Sequence, residues 1–225
     1  MLYFVIFVCV ILIVGLAISV HYLNKKSRQN ALIIEEAISA FMGFIDAKDT
    51  TTNGHSKRVA KYTRLLARKM GFSEDEAQRM YYIGLMHDCG KIGIPDAILN
   101  KPAKLTDEEY EIIKTHTCVG EKILKDFHSI DGIRDGAIFH HEKYDGSGYP
   151  QGLKGKDIPL IGRMLCIIDS FDVMNSERCY SHKMTKEDIL EQLRSNSGIQ
   201  FDPDIVKIFM ELLEKQPDEF WGESD

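Results

Sequence analysis

The stretch Met80-Tyr81-Tyr82-Ile83-Gly84-Leu85-Met86-His87-Asp88-Cys89-Gly90-Lys91 decides how the rest of the chain is read. Met80, Ile83 and His87 recur at helical spacing, so an apolar stripe carries an imidazole into the core, with Asp88 directly behind it. A buried carboxylate is costly unless a cation compensates it. The pattern repeats along the chain. His55 opens the row Val59, Tyr62, Leu66; His116 follows Ile112 and Ile113; His140, with His141 beside it, follows Ile133 and Ala137; Asp169 lies on the stripe Gly162, Leu165, Asp172.

One histidine of this kind is ordinarily a core residue bonded to a backbone carbonyl. Seven imidazoles and carboxylates on inward faces (His55, His87, Asp88, His116, His140, His141 and Asp169) call for two divalent ions, with Asp88 shared between them. The mixed nitrogen and oxygen donors suit iron or manganese, and zinc, magnesium, nickel and cobalt are compatible. His21, His128 and His182 lack such a context and are read as non-ligands.

Outward from these residues the start signals are helical. Ser73 with Glu76, Thr106 with Glu109, Thr185 with Asp188, and Asp202 before Pro203 are capping patterns. Helices are expected near 56–70, 74–87, 107–115, 118–126, 131–141, 160–175, 185–195 and 203–215. Alternating strand patterns are almost absent, so the soluble part is all-α. Residues 143–159, with Gly146, Gly148, Pro150, Gly152, Gly155 and Pro159, form a shaped loop.

The first 23 of the 225 residues hold no Asp, Glu, Lys or Arg, which predicts one transmembrane helix over 1–23. No basic residue precedes the run and no A-x-A-like site follows, so it is read as an uncleaved span rather than a signal peptide. Lys25, Lys26 and Arg28 follow it, which places the soluble domain in the cytoplasm of a membrane-anchored protein. Residues 24–46 form a juxtamembrane linker helix whose apolar face either packs on the domain or pairs with a second copy to give a homodimer. The domain is expected over 47–216, with a C-terminal tail at 217–225. A net charge of −6 argues against nucleic acid as a partner. Cys9, Cys89, Cys118, Cys166 and Cys179 are odd in number with no C-x-x-C pair, the usage of a reducing compartment.

The run His87-Asp88-Cys89-Gly90-Lys91 resembles the H-D-x-G-K motif of HD-domain phosphohydrolases. His140-His141-Glu142-Lys143-Tyr144-Asp145-Gly146-Ser147-Gly148-Tyr149-Pro150 is similar to the second motif of the HD-GYP subfamily. Supporting segments from Gly54-His55 to Phe201-Asp202-Pro203 extend the likeness over about 47–210. This resemblance implies an HD-domain helical bundle that hydrolyses cyclic di-GMP to the linear dinucleotide, and on to GMP in some members. A water or hydroxide bridging the metals would attack phosphorus. It also implies that His55, His87, Asp88 and Asp169 hold one ion and Asp88, His116, His140 and His141 the other. Asp88 and Lys91 would be the catalytic residues, with Lys91, Arg178, Tyr149 and Lys183 on the substrate. The loop Gly148-Tyr149-Pro150 is linked in the family to substrate access and to contacts with diguanylate cyclases.

Two departures stand out. Thr51 occupies the place of a Glu found in three-metal members, so two metals are expected. Ser181 stands where a basic residue is usual, with Lys183 the nearest replacement. Asn175 replaces a common small residue or Thr, with no consequence drawn. Two alternatives stay open: hydrolysis of another cyclic dinucleotide or a nucleotide, and a receptor that binds cyclic di-GMP without turnover.

Overall fold

A computed structural model describes residues 1–49, 54–176 and 184–221, apart from the side chains of residues 5, 8, 10 and 31. Among them the protein is helical throughout, with no strand and one isolated bridge between Ser197 and Phe201. The chain divides into two compact units, 1–41 and 42–225.

The first unit is a stretch of the helix α1 (Leu2–Lys48). Its apolar side chains stand exposed, Phe4 at 71% and Leu12 at 66%. Among the described residues no helix is long and apolar enough to cross a membrane. Val5, Val8 and Val10 of the apolar run lie outside the described side chains, so the membrane expectation rests on the sequence.

The second unit begins inside the segment expected to be linker, because Met42 and Ile45 are part of its core. It is built from α2 (His55–Lys69), α3 (Glu74–Met86), α4 (Asp96–Leu99), α5 (Asp107–Ile123), α6 (Ile133–Phe139), α7 (Leu160–Asn175), α8 (Lys186–Ser195), α9 (Pro203–Lys215) and α10 (Pro217–Trp221). α7 is the central helix. It packs against α2, α6, α8 and α9, so it is apolar nearly all round, burying Ile161, Met164, Leu165, Ile167, Ile168 and Phe171.

All four expected start signals cap helices. Ser73 and Thr106 form capping boxes with Glu76 and Glu109, Thr185 accepts the amide of Asp188, and Asp202 caps α9 with Pro203 at its first turn. The expected break between 107–115 and 118–126 is absent. Thr115 and Thr117 donate their hydroxyls back to the carbonyls of Ile112 and Lys114 instead of capping a new helix, so α5 runs on unbroken. Residues 217–221 are not a free tail. α10 seats Phe220, 1% exposed, with its ring 4.8 Å from Tyr62 and 5.9 Å from Phe171, and Asn175 Nδ2 donates to the Phe220 carbonyl at 2.7 Å.

Candidate metal centre

Five helices and a tight turn deliver the seven expected residues to one place. His55 is the first residue of α2, released by Gly54 at φ +70. His87 ends α3, and Asp88 opens a 3-10 turn, Cys89–Gly93, that carries Lys91. His116 comes from the middle of α5, His140 and His141 from the end of α6, and Asp169 from α7. The ammonium of Lys48 donates to the carbonyls of Lys91 and Ile92, fastening the turn that presents Asp88.

Asp88 sits between two groups of nitrogen donors. Its Oδ2 faces His87 Nε2 at 3.4 Å and His55 Nε2 at 3.8 Å, while its Oδ1 faces His116 Nε2 at 3.5 Å and His140 Nε2 at 3.7 Å. Asp169 Oδ1 lies 3.1 Å from His55 Nε2 and 4.0 Å from His87 Nε2. The trios His55, His87, Asp169 and His116, His140, His141 each converge closely enough to share one ion, as does His87, Asp88, His140.

Whether a metal fits is answered by the tautomers. Backbone carbonyls only accept, so His87, His116 and His140 must donate from Nδ1 to Gly84, Ile113 and Gly136, at 2.8, 2.7 and 3.0 Å. With Nδ1 as the donor, Nε2 is the atom that each ring turns toward the cluster, the arrangement that backbone carbonyls impose on ligating histidines. His116 Nε2 and His140 Nε2 crowd together at 3.2 Å, two ring nitrogens aimed at one another. His87 Nε2 is buried with no hydrogen-bond partner. A cation between these atoms resolves both conflicts, so the residues present fit divalent ions.

The electrostatics agree. Burial pushes His87 and His116 down to about 4 and His141 well below its usual range, so these rings are neutral. His55 differs: burial opposes its charge, yet bonds to Asp169 and Asp172 outweigh that and raise it to about 9. Asp88 is held well below the usual carboxylate range despite burial, by Lys91 and His87 foremost. Asp169 is depressed too, chiefly by His55.

Residues outside the expected set support the centre. Asp172, given no role from the sequence, accepts from His55 Nδ1 at 2.7 Å and from Arg58 Nε at 2.6 Å. Asp49 meets Lys91 Nζ at 2.8 Å, and Asp88 Oδ2 meets it at the same distance. Glu142 is buried and its carboxylate accepts the amides of Gln151, Gly152 and Leu153 at 2.7, 3.1 and 3.0 Å, closing the loop beside the His and Asp cluster. A charged residue placed between a histidine pair and a glycine-rich loop was the available signal for Glu142. Nothing in the pattern pointed to Asp49.

Glycines in that loop act in two ways. Gly146, Gly152 and Gly155 take positive φ, whereas Gly148 does not. Gly148 is required by close approach, since a Cβ there would lie 2.2 Å from Lys143 N and 2.6 Å from the His141 carbonyl oxygen. Gly90 is tighter, its Cβ position 1.9 Å from the His116 carbonyl oxygen and 2.4 Å from Gly120 N. Tyr149 follows with its ring 4.8 Å from that of His141, and burial raises its phenol, which stays neutral. The cluster opens into a cavity of about 660 Å³, whose described lining also includes Tyr110, Lys143, Ser170, Asn196 and Gln200. Thr51, Arg178, Ser181 and Lys183 lie outside the described residues. Among described residues the cysteines are free thiols.

Residues 40–205 match the family model described as HD domain. The chain is 39% identical over 180 residues to a cyclic di-GMP phosphodiesterase of Thermotoga maritima, covering 79% of this chain and 49% of that protein. It is 37% identical over 179 residues to 3'3'-cGAMP-specific phosphodiesterase 2 of Vibrio cholerae, covering 79% and 34%. The chain thus spans about half or less of the length of these curated relatives. Its fold is similar to the HD domain of Listeria monocytogenes phosphodiesterase PgpH, solved with cyclic di-AMP, at a TM-score of 0.60 and 20% identity over 84% of this chain and 99% of that one. With the motif, the helical architecture and the matched span in agreement, the chain belongs to the HD-domain family.

Proposed function

We propose that this chain is a metal-dependent phosphodiesterase that opens cyclic di-GMP to the linear dinucleotide. The observation that carries the reading is one cavity in which two donor groups share Asp88 beside the ammonium of Lys91. His55, His87, Asp88 and Asp169 would hold one divalent ion, and Asp88, His116, His140 and His141 the other. When bound, such ions supply Lewis-acid polarisation of the phosphodiester and activation of water.

The chain's own residues do the rest. Backbone carbonyls and Asp172 fix the imidazole orientations before any ligand arrives. Lys91, held between Asp49 and Asp88, offers a positive charge to an anionic phosphate that must approach an acidic protein. Tyr149 lays its ring beside that of His141, the two planes tilted by 32° with centroids 4.8 Å apart. Arg178 and Lys183 are proposed as further phosphate contacts on the strength of the sequence resemblance.

The domain is proposed to be anchored in a bacterial membrane by residues 1–23 and to face the cytoplasm. A charge-free apolar run followed by Lys25, Lys26 and Arg28 supports this. A homodimer through 24–46 and a diguanylate cyclase partner at the 143–159 loop belong to the same proposal and rest on sequence. Two specific observations favour second readings. Relatives named for cGAMP support another cyclic dinucleotide, and Ser181 supports a binding protein without turnover.

The test is the full chain in detergent micelles, prepared without oxygen, loaded with manganese or iron and incubated with cyclic di-GMP. Linear dinucleotide or GMP from the wild type, and none from Asp88→Ala, is the expected result. Intact cyclic di-GMP after incubation with a chain carrying two metals would overturn it.

A further inference from the structure

The cavity is chemically lopsided. At the His141 end its wall is aromatic, Tyr149 with Tyr110 edge-on at 6.4 Å. Beside Asp169 the polar groups are amides and a hydroxyl, set among Val173, Met174 and Phe201. Ser170, next to Asp169, accepts from Gln200 Nε2 at 2.9 Å, and Asn196 Nδ2 is tied to the Gln192 carbonyl at 2.9 Å and to its side-chain oxygen at 3.2 Å. Gln200 is pinned through its backbone, since its amide donates to the Asn196 carbonyl at 3.0 Å and its carbonyl accepts from Tyr144 N at 3.1 Å. A side chain carried on so fixed a backbone is pre-set for recognition.

Both amides spend nitrogen on the protein. Among the described residues, neither Gln200 Oε1 nor Asn196 Oδ1 accepts a hydrogen bond, and the Ser170 hydroxyl proton is likewise unspent. Two acceptors and one donor are therefore carried by residues that line the same cavity as the His and Asp cluster. Resting on the phosphodiesterase reading above, we infer that Gln200, Asn196 and Ser170 form a nucleobase-reading edge that selects guanine, while the tyrosine end stacks a second base of either identity.

The chemistry is complementary. Guanine presents N1–H and N2–H donors side by side with the O6 acceptor, matching two carbonyl oxygens and a hydroxyl. Adenine presents a ring-nitrogen acceptor beside one amino donor, which would set a lone pair against an amide oxygen. A site built to hydrogen-bond one group penalises the analogue lacking it. Stacking on an aromatic ring tolerates any base, since each has a π-face. The chain should therefore reject a ligand with two adenines and accept one with two guanines or one of each.

The experiment measures kcat/KM for cyclic di-GMP, 3'3'-cGAMP and cyclic di-AMP with the full chain in micelles, for wild type, Gln200→Leu and Asn196→Ala at matched metal content and melting midpoint. Wild type should prefer either guanine-bearing ligand to cyclic di-AMP by about 100-fold, and each variant should cut that ratio about tenfold. Asn196→Ala keeps the backbone carbonyl that fastens Gln200, so it reads out even where Gln200→Leu fails to fold. An unchanged ratio in both variants, or a wild type that prefers cyclic di-AMP, overturns the inference. If the wild type turns over none of the three, hydrolysis fails as a reading and calorimetric Kd values on the same proteins decide base selection. A guanine preference lost in the variants upholds it, and a preference unaltered or no binding at all overturns it.

Discussion

Lys91 Nζ and Asp49 Oδ2 are 2.8 Å apart across 42 positions of sequence, and the same ammonium stands 2.8 Å from Asp88. Asp49 is therefore a positioning residue. It holds the cation at the edge of the His and Asp cluster, where, on the proposed function, an incoming phosphate would take it over from Asp88. Asp49→Asn is expected to lower kcat about tenfold, the usual scale for losing a supporting partner, with less change in KM. In Lys91→Ala the same substitution should add little, because the group it positions is gone. Steady-state kinetics of the two single variants and the double variant check this.

Metal affinity should climb with pH. In the metal-free protein His55 holds its proton up to about 9, between Asp169 and Asp172, and an ion taking Nε2 must displace it. Below that pH one proton is released per ion bound there, so affinity rises about tenfold per pH unit and levels off above about 9. Manganese titrations by calorimetry in buffers of different ionisation enthalpy measure both the slope and the proton count.

Without metal, stability should peak near pH 6.5. His87 and His116 sit at about 4 when folded and 6.5 when free, so between those values the unfolded chain binds protons that the folded chain refuses, and stability falls as pH drops. His55 is the reverse. Its stabilisation is complete below 6.5 and is lost as pH rises through about 9. The depressed Asp88 and Asp169 add to the loss in stronger acid, below the ordinary carboxylate value. Melting midpoints of the chelated protein from pH 4 to 10 should trace one maximum, and a midpoint still rising at pH 9 would contradict the assignment of His55.

Two glycines of one loop should respond differently to alanine. At Gly148 the new Cβ meets backbone of Glu142 and Lys143 at 2.5 and 2.2 Å, which cannot move aside, so Gly148→Ala should leave the loop misplaced and the protein markedly less stable. At Gly155 the space is open and only the φ of +60 opposes the substitution, so Gly155→Ala should cost about 1 kcal/mol. Denaturant unfolding of both variants makes the comparison.

Phe220→Ala should cost about 3 kcal/mol or more, as for other aromatic side chains removed from a core. Truncation after residue 216 should cost at least as much, since Phe220 stacks on Tyr62 and meets Phe171 and Phe209 edge-on.

The helical course was legible where sequence signals are local. Ser73, Thr106, Thr185 and Asp202 each began a helix because a cap involves residues two or three positions apart. Periodicity likewise brought the seven His and Asp residues onto inward faces. The misses have one cause, which is that the partner is distant. Asp49 is tied to Lys91, and Phe220 to Tyr62 and Phe171, by contacts that no spacing rule contains. The helices expected at 107–115 and 118–126 are one, because the hydroxyls of Thr115 and Thr117 bond to the preceding turn and the helix runs on through them.

Gly90 bears on what fixes the width of such a centre. With no side chain between them, the turn that presents Asp88 rests directly on the helix that presents His116, backbone upon backbone. The gap between the two halves of the centre is thus set by main-chain thickness, a length that no exchange of side chains can adjust. The spacing of the two donor groups is therefore a property of the backbone, and side chains shape only the cavity around it.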